Sequence, residues 1–357
     1  MNRECYIGIM SGTSLDGVDI VLCEIDETKC KFICALEYPM PFALKTDILC
    51  MIEEKSSLEK MGQIDHRLGE LFAQAVEALI VREEIDPATI QAIGLHGQTV
   101  WHEPNGKTPF TMQLGDPNIL TTTVGIKVVS DFRRKDIVLG GQGAPLAPAF
   151  HEFIFTNIKS KVAVVNIGGM ANITLLDDML LGYDTGCGNV LLDLWINEHI
   201  NKAYDKDGAW ARLGRVDVVL LKQMLKDDFF TQPHPKSTGR EKFNKSWLQA
   251  YLIGKTHTPE DVQRTLLELT ATSIVNEVLK FDRETVLLCG GGAKNGFLVE
   301  RIKTLLPQIE VHIAPHADMI EAMTFAWLAY KRLHNEKVNI KDVTGARENA
   351  VLGGVYV

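Results

Sequence analysis

The chain lacks the features that would mark a membrane protein, a secreted protein or a nucleic-acid binder. The uncharged stretch Val162 to Leu176 is broken by Asn166, Gly168, Gly169 and Asn172, and a helix needs about 20 apolar residues to span a bilayer. No basic segment followed by an apolar one opens the chain, so no signal peptide is expected. The seven cysteines are scattered and odd in number, with no CxxC pair; they read as reduced thiols of a cytoplasmic protein, not as a disulfide frame. There is no basic surplus: 37 Lys and Arg face 46 Asp and Glu, a net charge of -9, which argues against binding along a phosphate backbone. Metal motifs are missing too. His96 and His102 fit neither one helix face nor a zinc-finger pair, and the Asp205–Gly208 run is too short for a calcium loop. Gly254–Lys255–Thr256 resembles the end of a P-loop, but Gln249 stands where the first glycine belongs.

What is present is an ordinary globular composition, 46% hydrophobic and 23% charged over 357 residues, a length that favours two domains. Three strands are predicted first, Cys5–Met10, Val18–Ile25 and Lys31–Tyr38. The turn between the first two holds Ser11, Gly12, Thr13, Ser14, Asp16 and Gly17, which is long for a hairpin. Its glycines and small hydroxyls suit either an ordinary turn or a phosphate cradle. A long amphipathic helix is predicted from Ser56 to about Glu84, with Ser56 and Glu59 as a capping box. Ala92–His96 reads as a buried strand running into HGQTVWH, where a polar group at a strand's end can hold a ligand. After Lys127–Asp131, the run DFRRKDIVLGGQGAPLAP sets Arg133, Arg134 and Lys135 beside a glycine loop, either an anion site or a solvated turn.

Lys161–Leu176 repeats the opening plan of strand, glycine turn and strand, so the layout suggests a duplicated domain. Leu180–Asp184 ends in YDTGCGN, placing Asp184 at a strand terminus. There it is either a general base or a helix-entry residue. A helix over Pro259–Lys280 precedes the strand Thr285–Cys289, which leads through Gly290, Gly291 and Gly292 to a helix from Gly296. That arrangement admits a nucleotide closely. A last helix, Met319–His334, carries Glu321 in its first turn. KSTGREKFN, from Lys236 to Asn244, reads as a polar loop over the cleft.

Glycine loops at Gly12, Gly168 and Gly290 fall in the order used by the actin-like sugar-kinase and heat-shock ATPase superfamily. The motifs SGTSLDGVD, HGQTVWH, DFRRKD with GGQGAPL, NIGGMANIT, GYDTGCGN, KSTGREKF and CGGGAKN together resemble the anhydro-N-acetylmuramic acid kinase family, from Ile7 to Leu328. The resemblance implies a duplicated actin-like ATPase fold, α/β and ribonuclease H-like, with a nucleotide cleft between two domains. The first would comprise residues 1–130 with 325–357, and the second residues 131–324.

It also implies an ATP- and Mg2+-dependent reaction in peptidoglycan recycling. Water opens the bridge of 1,6-anhydro-N-acetylmuramic acid while O6 is phosphorylated, giving N-acetylmuramic acid 6-phosphate. Carried over by motif, Gly12, Thr13, Ser14, Leu15, Asp16, Gly17, Val18 and Asp19 embrace the ATP phosphates. Asn166, Gly168 and Gly169 form the second phosphate hairpin, and Gly290, Gly291, Gly292 and Asn295 bound the adenosine. Asp184 is the base, and His96, Arg133 and Glu321 hold the sugar or its lactyl carboxylate. A homodimer is implied as well, with no nucleic acid or membrane partner.

Two positions depart from the pattern. Ser11 and Asn166 stand where the wider superfamily usually has aspartate, leaving the direct magnesium ligands unassigned. Cys187 replaces the usual proline of the DTG turn, removing a φ restraint. The alternatives are a conventional sugar kinase of the same fold without ring opening, and a non-catalytic sugar sensor. A sensor that represses transcription would need a helix-turn-helix, and the sequence shows none.

Overall fold

Strand and helix periodicities sort the chain into two sheets, each covered by helices, in a computed structural model. It describes residues 3–12, 15, 17–53, 56–155, 158, 161–176, 180–234, 236–240, 242–254 and 256–357. Two compact units result, Met1–Ile154 with Met319–Val357, and Phe155–Asp318.

In the first unit the strands are β1 (Glu4–Ser11), β2 (Gly17–Ile25), β3 (Cys30–Pro39), β4 (Ile90–Glu103), β5 (Phe110–Leu114) and β6 (Val128–Ser130). The second unit has β7 (Val162–Ile167), β8 (Met170–Leu176), β9 (Leu181–Cys187), β10 (Thr285–Cys289) and β11 (Glu310–Ile313), and β12 (Gly354–Tyr356) returns to the first. The first sheet runs β12-β6-β4-β1-β2-β3 with β5 on β4, and the second runs β11-β10-β7-β8-β9. In both, the first three strands form an antiparallel meander. The next strand pairs parallel to the first, and another joins parallel beyond it. Five strands of each unit therefore share one order and one set of directions, so the chain carries a duplicated α/β fold of the actin-like, ribonuclease H-like type.

The helices of the first unit are α1 (Phe42–Glu53), α2 (Leu58–Arg82), α3 (Pro117–Val124), α4 (Arg134–Val138) and α5 (Ala147–Phe155), whose last residue falls in the second. In the second lie α6 (Val190–Ile200), α7 (Val218–Met224), α8 (Asp228–Thr231), α9 (Lys245–Leu252), α10 (Pro259–Val278) and α11 (Gly296–Leu305); α12 (Ile320–Leu333) and α13 (Lys341–Thr344) belong to the first. In α2, Leu68, Leu71, Phe72, Val76 and Leu79 bury one stripe against Ile7, Ile9 and Ile20. Each fully buried Leu, Ile or Phe side chain contributes about 1.5–3 kcal/mol. The cap of α2 falls one residue later than the spacing suggested: Ser57, not Ser56, accepts from Lys60 N–H. In the second unit α10 starts on a Thr258 cap with Pro259 in its first turn. It packs Leu266, Leu269, Ile274 and Val278 into a core with Val165, Ile167, Ile173 and Leu175.

One helix settles where the first unit's polar residues meet. A Cβ at Gly8 would overlap the Ala322 carbonyl, and one at Gly94 would overlap the Phe325 carbonyl. Because β1 and β4 carry glycine there, α12 lies directly on the sheet. Phe325 then stacks beside His96, ring centroids 4.7 Å apart, and Glu321 sits one turn earlier on the same helix. The unit boundaries differ from the expected 130/131 and 324/325 because residues 131–154 and 319–324 build into the first unit. Asp136 bonds Thr344, and Lys135 bonds the Val351 carbonyl.

Candidate active site

Midway along β4, which runs on past the expected end at His96 to Glu103, the buried His96 accepts a hydrogen bond at Nε2 from Arg133 Nε, 3.0 Å away. Arg133 follows β6 and donates from Nη1 to the Gly143 carbonyl at 2.9 Å. Burial and the facing guanidinium press the His96 pKa well below its usual value, so the ring is neutral with its proton on Nδ1. Burial lowers Arg133 to about 10 while Glu321 and Asp136 pull it back up, and it stays cationic at neutral pH. Two of the guanidinium's five donors are thus spent on fixed partners, which leaves a forked edge suited to an anionic oxygen. Asp136 accepts from Gly143 N–H at 2.5 Å and from Thr344 Oγ1 at 2.5 Å, which ties the glycine loop to Arg133. Nearby, His102 Nδ1 lies 3.0 Å from Thr111 Oγ1, and burial followed by Arg133 pushes this ring down to about 4. Arg134 and Lys135 turn away, to Asp131 and to the Val351 carbonyl, so of the three basic residues only Arg133 joins the cluster.

Of the first glycine turn, Thr13, Ser14 and Asp16 lie outside the described residues. Leu15 N–H bonds the Gly12 carbonyl at 3.3 Å. Leu15 and Val18 bury their side chains in the core, so only their backbone remains to face a ligand. Gly17 opens β2 opposite Pro39, and Asp19 lies opposite Met10. Ser11 donates to Gln98 Oε1 at 2.6 Å across the β1–β4 pair. In the second unit the matching pair is Asn166 and Cys289, with the thiol 3.8 Å from Asn166 Oδ1. Each unit therefore carries one polar side-chain pair that bridges its first strand and the parallel strand beside it.

Gly168 and Gly169 make a two-residue turn between β7 and β8. Their carbonyls accept from Asn189 N–H, and from Gly188 and Val190 N–H, at 2.8–3.1 Å. Gly290 and Gly292 lie against Asn166 and Ile167 so closely that a Cβ on either would clash, whereas Gly291 faces open space. Asn295 spends its side chain capping α11 at Leu298 N–H, 3.1 Å away. Cys187 is the last residue of β9, paired with Met170 and buried. Thr270 of α10 donates to the carbonyls of Cys187 and Gly188, so strand pairing and a helix hydroxyl restrain this turn where proline would otherwise do so.

Asp184 lies opposite Asn172, which lies opposite Asn166, so one polar row crosses three strands. Its carboxylate Oδ2 accepts from Thr238 N–H at 2.9 Å and Ser237 Oγ at 3.2 Å, and its own N–H donates to the Lys236 carbonyl at 2.9 Å. Among the described residues Asn172 Oδ1 is buried without a hydrogen-bond partner. Asp184 does not end the strand as expected but stands in the middle of β9, where the register with β8 shifts; a carboxylate fixed in this way can take a proton from water.

His96, Arg133 and Glu321 meet in one cluster; Asp184, Asn166 and the glycines of the second unit gather around β7–β9. The reading from residues alone missed Gln98, Asn172 and Thr270, and it gave the Lys236–Thr238 segment no partner. The KSTGREKF string pointed to the last of these, but nothing in the letters told that it would close on Asp184.

The chain matches the family model described as anhydro-N-acetylmuramic acid kinase over residues 4–357. Curated proteins of that name are similar along the whole length. The one from Sulfurovum sp. (strain NBC37-1) is 64% identical, covering 100% of both chains. Those from Sulfurimonas denitrificans and Aliivibrio fischeri are 49% and 50% identical, each covering 99% of both chains.

Proposed function

The chain belongs to the anhydro-N-acetylmuramic acid kinase family, and from that premise we propose how its residues divide the reaction. It is an ATP-dependent kinase of 1,6-anhydro-N-acetylmuramic acid, in the context of peptidoglycan recycling. Asp184 takes a proton from water, and the water oxygen bonds to the anomeric carbon. The bond from that carbon to O6 breaks, and its electron pair passes to O6. O6 then bonds to the γ-phosphorus as the bond to the β-γ bridging oxygen of ATP breaks. The products are N-acetylmuramic acid 6-phosphate, ADP and the proton first held by Asp184.

Ser237 and Thr238 keep the Asp184 carboxylate aimed, and general-base help of this kind is typically worth about 10²–10⁴ in rate. Arg133, oriented by His96 and Gly143, holds the lactyl carboxylate, and Glu321 faces the sugar hydroxyls. The Gly12–Asp19 and Gly168–Gly169 turns receive the phosphates, and the Gly290–Gly292 loop with its open Gly291 receives the adenosine. Among the described residues no group of three His, Cys, Asp or Glu side chains is placed to hold a metal. Mg2+ would be held through the triphosphate and waters, as this hard cation commonly is, and would supply charge neutralisation there. The enzyme is read as acting in the cytoplasm, as a homodimer.

The observation that carries this reading is the Asp184 carboxylate, held by two donors from the Lys236–Thr238 segment. Mass spectrometry of the product made in ¹⁸O-water tests it. One labelled oxygen at C1 together with a phosphate is expected, and Asp184→Asn removes most turnover while ATP still binds. Phosphate gain without the label would identify a conventional kinase, and near-normal turnover of Asp184→Asn would exclude that residue as the base.

A further inference from the structure

A buried ion pair stands behind Asp184, and the reaction as described makes no use of it. Lys236 and Glu277 have side chains only 2% and 3% exposed, with Nζ 2.7 Å from Oε1. Lys236 also donates to the Phe229 carbonyl at 3.1 Å. Glu277 lies on α10 and accepts at Oε2 from the buried Tyr183 hydroxyl, 3.1 Å away, and from Lys280 at 2.6 Å. Burial raises the Glu277 carboxyl, but the bonds from Lys236 and Lys280 outweigh it and hold the group ionised, below its usual value.

The connectivity matters more than the pair. Tyr183 immediately precedes Asp184 on β9, and Lys236 immediately precedes Ser237. One carboxylate on α10 thus fastens the strand that carries Asp184 and the segment whose donors grip it. The grip has three points: Asp184 N–H to the Lys236 carbonyl, Ser237 Oγ to Oδ2, and Thr238 N–H to Oδ2. A buried ion pair is weak evidence for stability, because apolar residues of like volume often do as well. A catalytic group is sensitive to displacements of about 1 Å, so this arrangement has more to offer in placement.

We infer that Lys236 and Glu277 are positioning residues for the general base, with Ser237 the side-chain donor through which they act. The inference rests on Asp184 being that base. Loss of the pair lowers kcat while leaving the KM for ATP unchanged, because the nucleotide loops are untouched.

The test compares five variants of the full chain, each with its melting temperature and its kcat and KM values. Lys236→Met with Glu277→Gln removes both charges together, leaving no unpaired buried ion. It is expected to melt near the parent yet lose kcat on the order of tenfold or more, the scale of a hydrogen bond to a charged group. Ser237→Ala disturbs no core contact and is expected to lose kcat several-fold, with recovery in Ser237→Thr. In an Asp184→Asn background Ser237→Ala should cost nothing further, since groups acting as a unit are not additive. Should the double variant fail to fold, the Ser237 pair and the cycle still decide the matter. Full kcat in Ser237→Ala or in the folded double variant, beside an inactive Asp184→Asn, would overturn the positioning role alone. An active Asp184→Asn would overturn the base assignment and this role together.

Discussion

Arg133 shows what one side chain's hydrogen bonds decide. Its Nε bond to His96 and its Nη1 bond to Gly143 fix the plane of the guanidinium, and the fork that remains is matched to a carboxylate. Lysine would keep the charge and lose both the plane and the fork. Arg133→Lys should therefore raise the KM for the anhydro sugar about tenfold or more, the scale of a charge-assisted hydrogen bond. The KM for ATP should stay at the parent value. Steady-state kinetics with each substrate varied in turn checks this, and an unchanged sugar KM would remove Arg133 from the sugar site. Residue identities were readable here, but their orientation was not. DFRRKD offers three basic side chains, and only the bonds of Arg134 to Asp131 and of Lys135 to Val351 show that two of them face elsewhere.

At the scale of elements, the close approach of α12 to β1 and β4 is what brings Glu321 towards Arg133. Gly8 and Gly94 allow it, since the Ala322 and Phe325 carbonyls occupy the space where their Cβ atoms would lie. Gly94→Ala must push the helix outward, and overpacking of this kind costs about 1–3 kcal/mol. The melting temperature should fall and the sugar KM should rise together. Gly62 lies within α2 with nothing within 4 Å of its Cβ direction, so Gly62→Ala should stabilise the fold by about 0.4–1 kcal/mol. Thermal unfolding of the two variants is expected to give opposite signs, and equal signs would contradict the packing account. Long elements such as α2 and α10 were legible because an apolar stripe of period 3.6 writes itself into the sequence. The helices α1 and α5 were not foreseen; Pro41 stands just before α1 and Pro148 in the first turn of α5, where proline is tolerated. Residues 97–103 of β4 were hidden by their polar letters, although they form a local hairpin with β5 in which Glu103 lies opposite Phe110.

For the molecule as a whole, the duplication was visible as two glycine-turned hairpins, and the matching strand orders of the two sheets bear it out. The two units share a topology but not an electrostatic character, and acid should separate them. His96, His102 and His151 all belong to the first unit, and burial lowers each below the usual value of 6.5: His96 well below, His102 to about 4 and His151 to about 3. Between those values and about 6.5 the unfolded chain binds protons that the folded unit refuses. The stability is present above about pH 6.5 and falls as the pH drops towards the folded values. The carboxyls of Asp65 and Asp136 are raised and favour the fold once protonated, so they oppose this loss at lower pH. In the second unit, bonds from Lys236 and Lys280 to Glu277, and from Arg301 and Arg264 to Glu268, outweigh burial and lower both carboxyls below 4.5. That stability is present above about pH 4.5 and is lost only below it. Lowering the pH from about 7 to about 5.5 should therefore reduce amide protection first in 3–154 and 319–357, after correction for intrinsic exchange. Protection in 161–318 should hold until the carboxylates protonate. Hydrogen exchange read by mass spectrometry distinguishes the two ranges. Equal loss in both would mean that the buried histidines of the first unit do not govern its acid response.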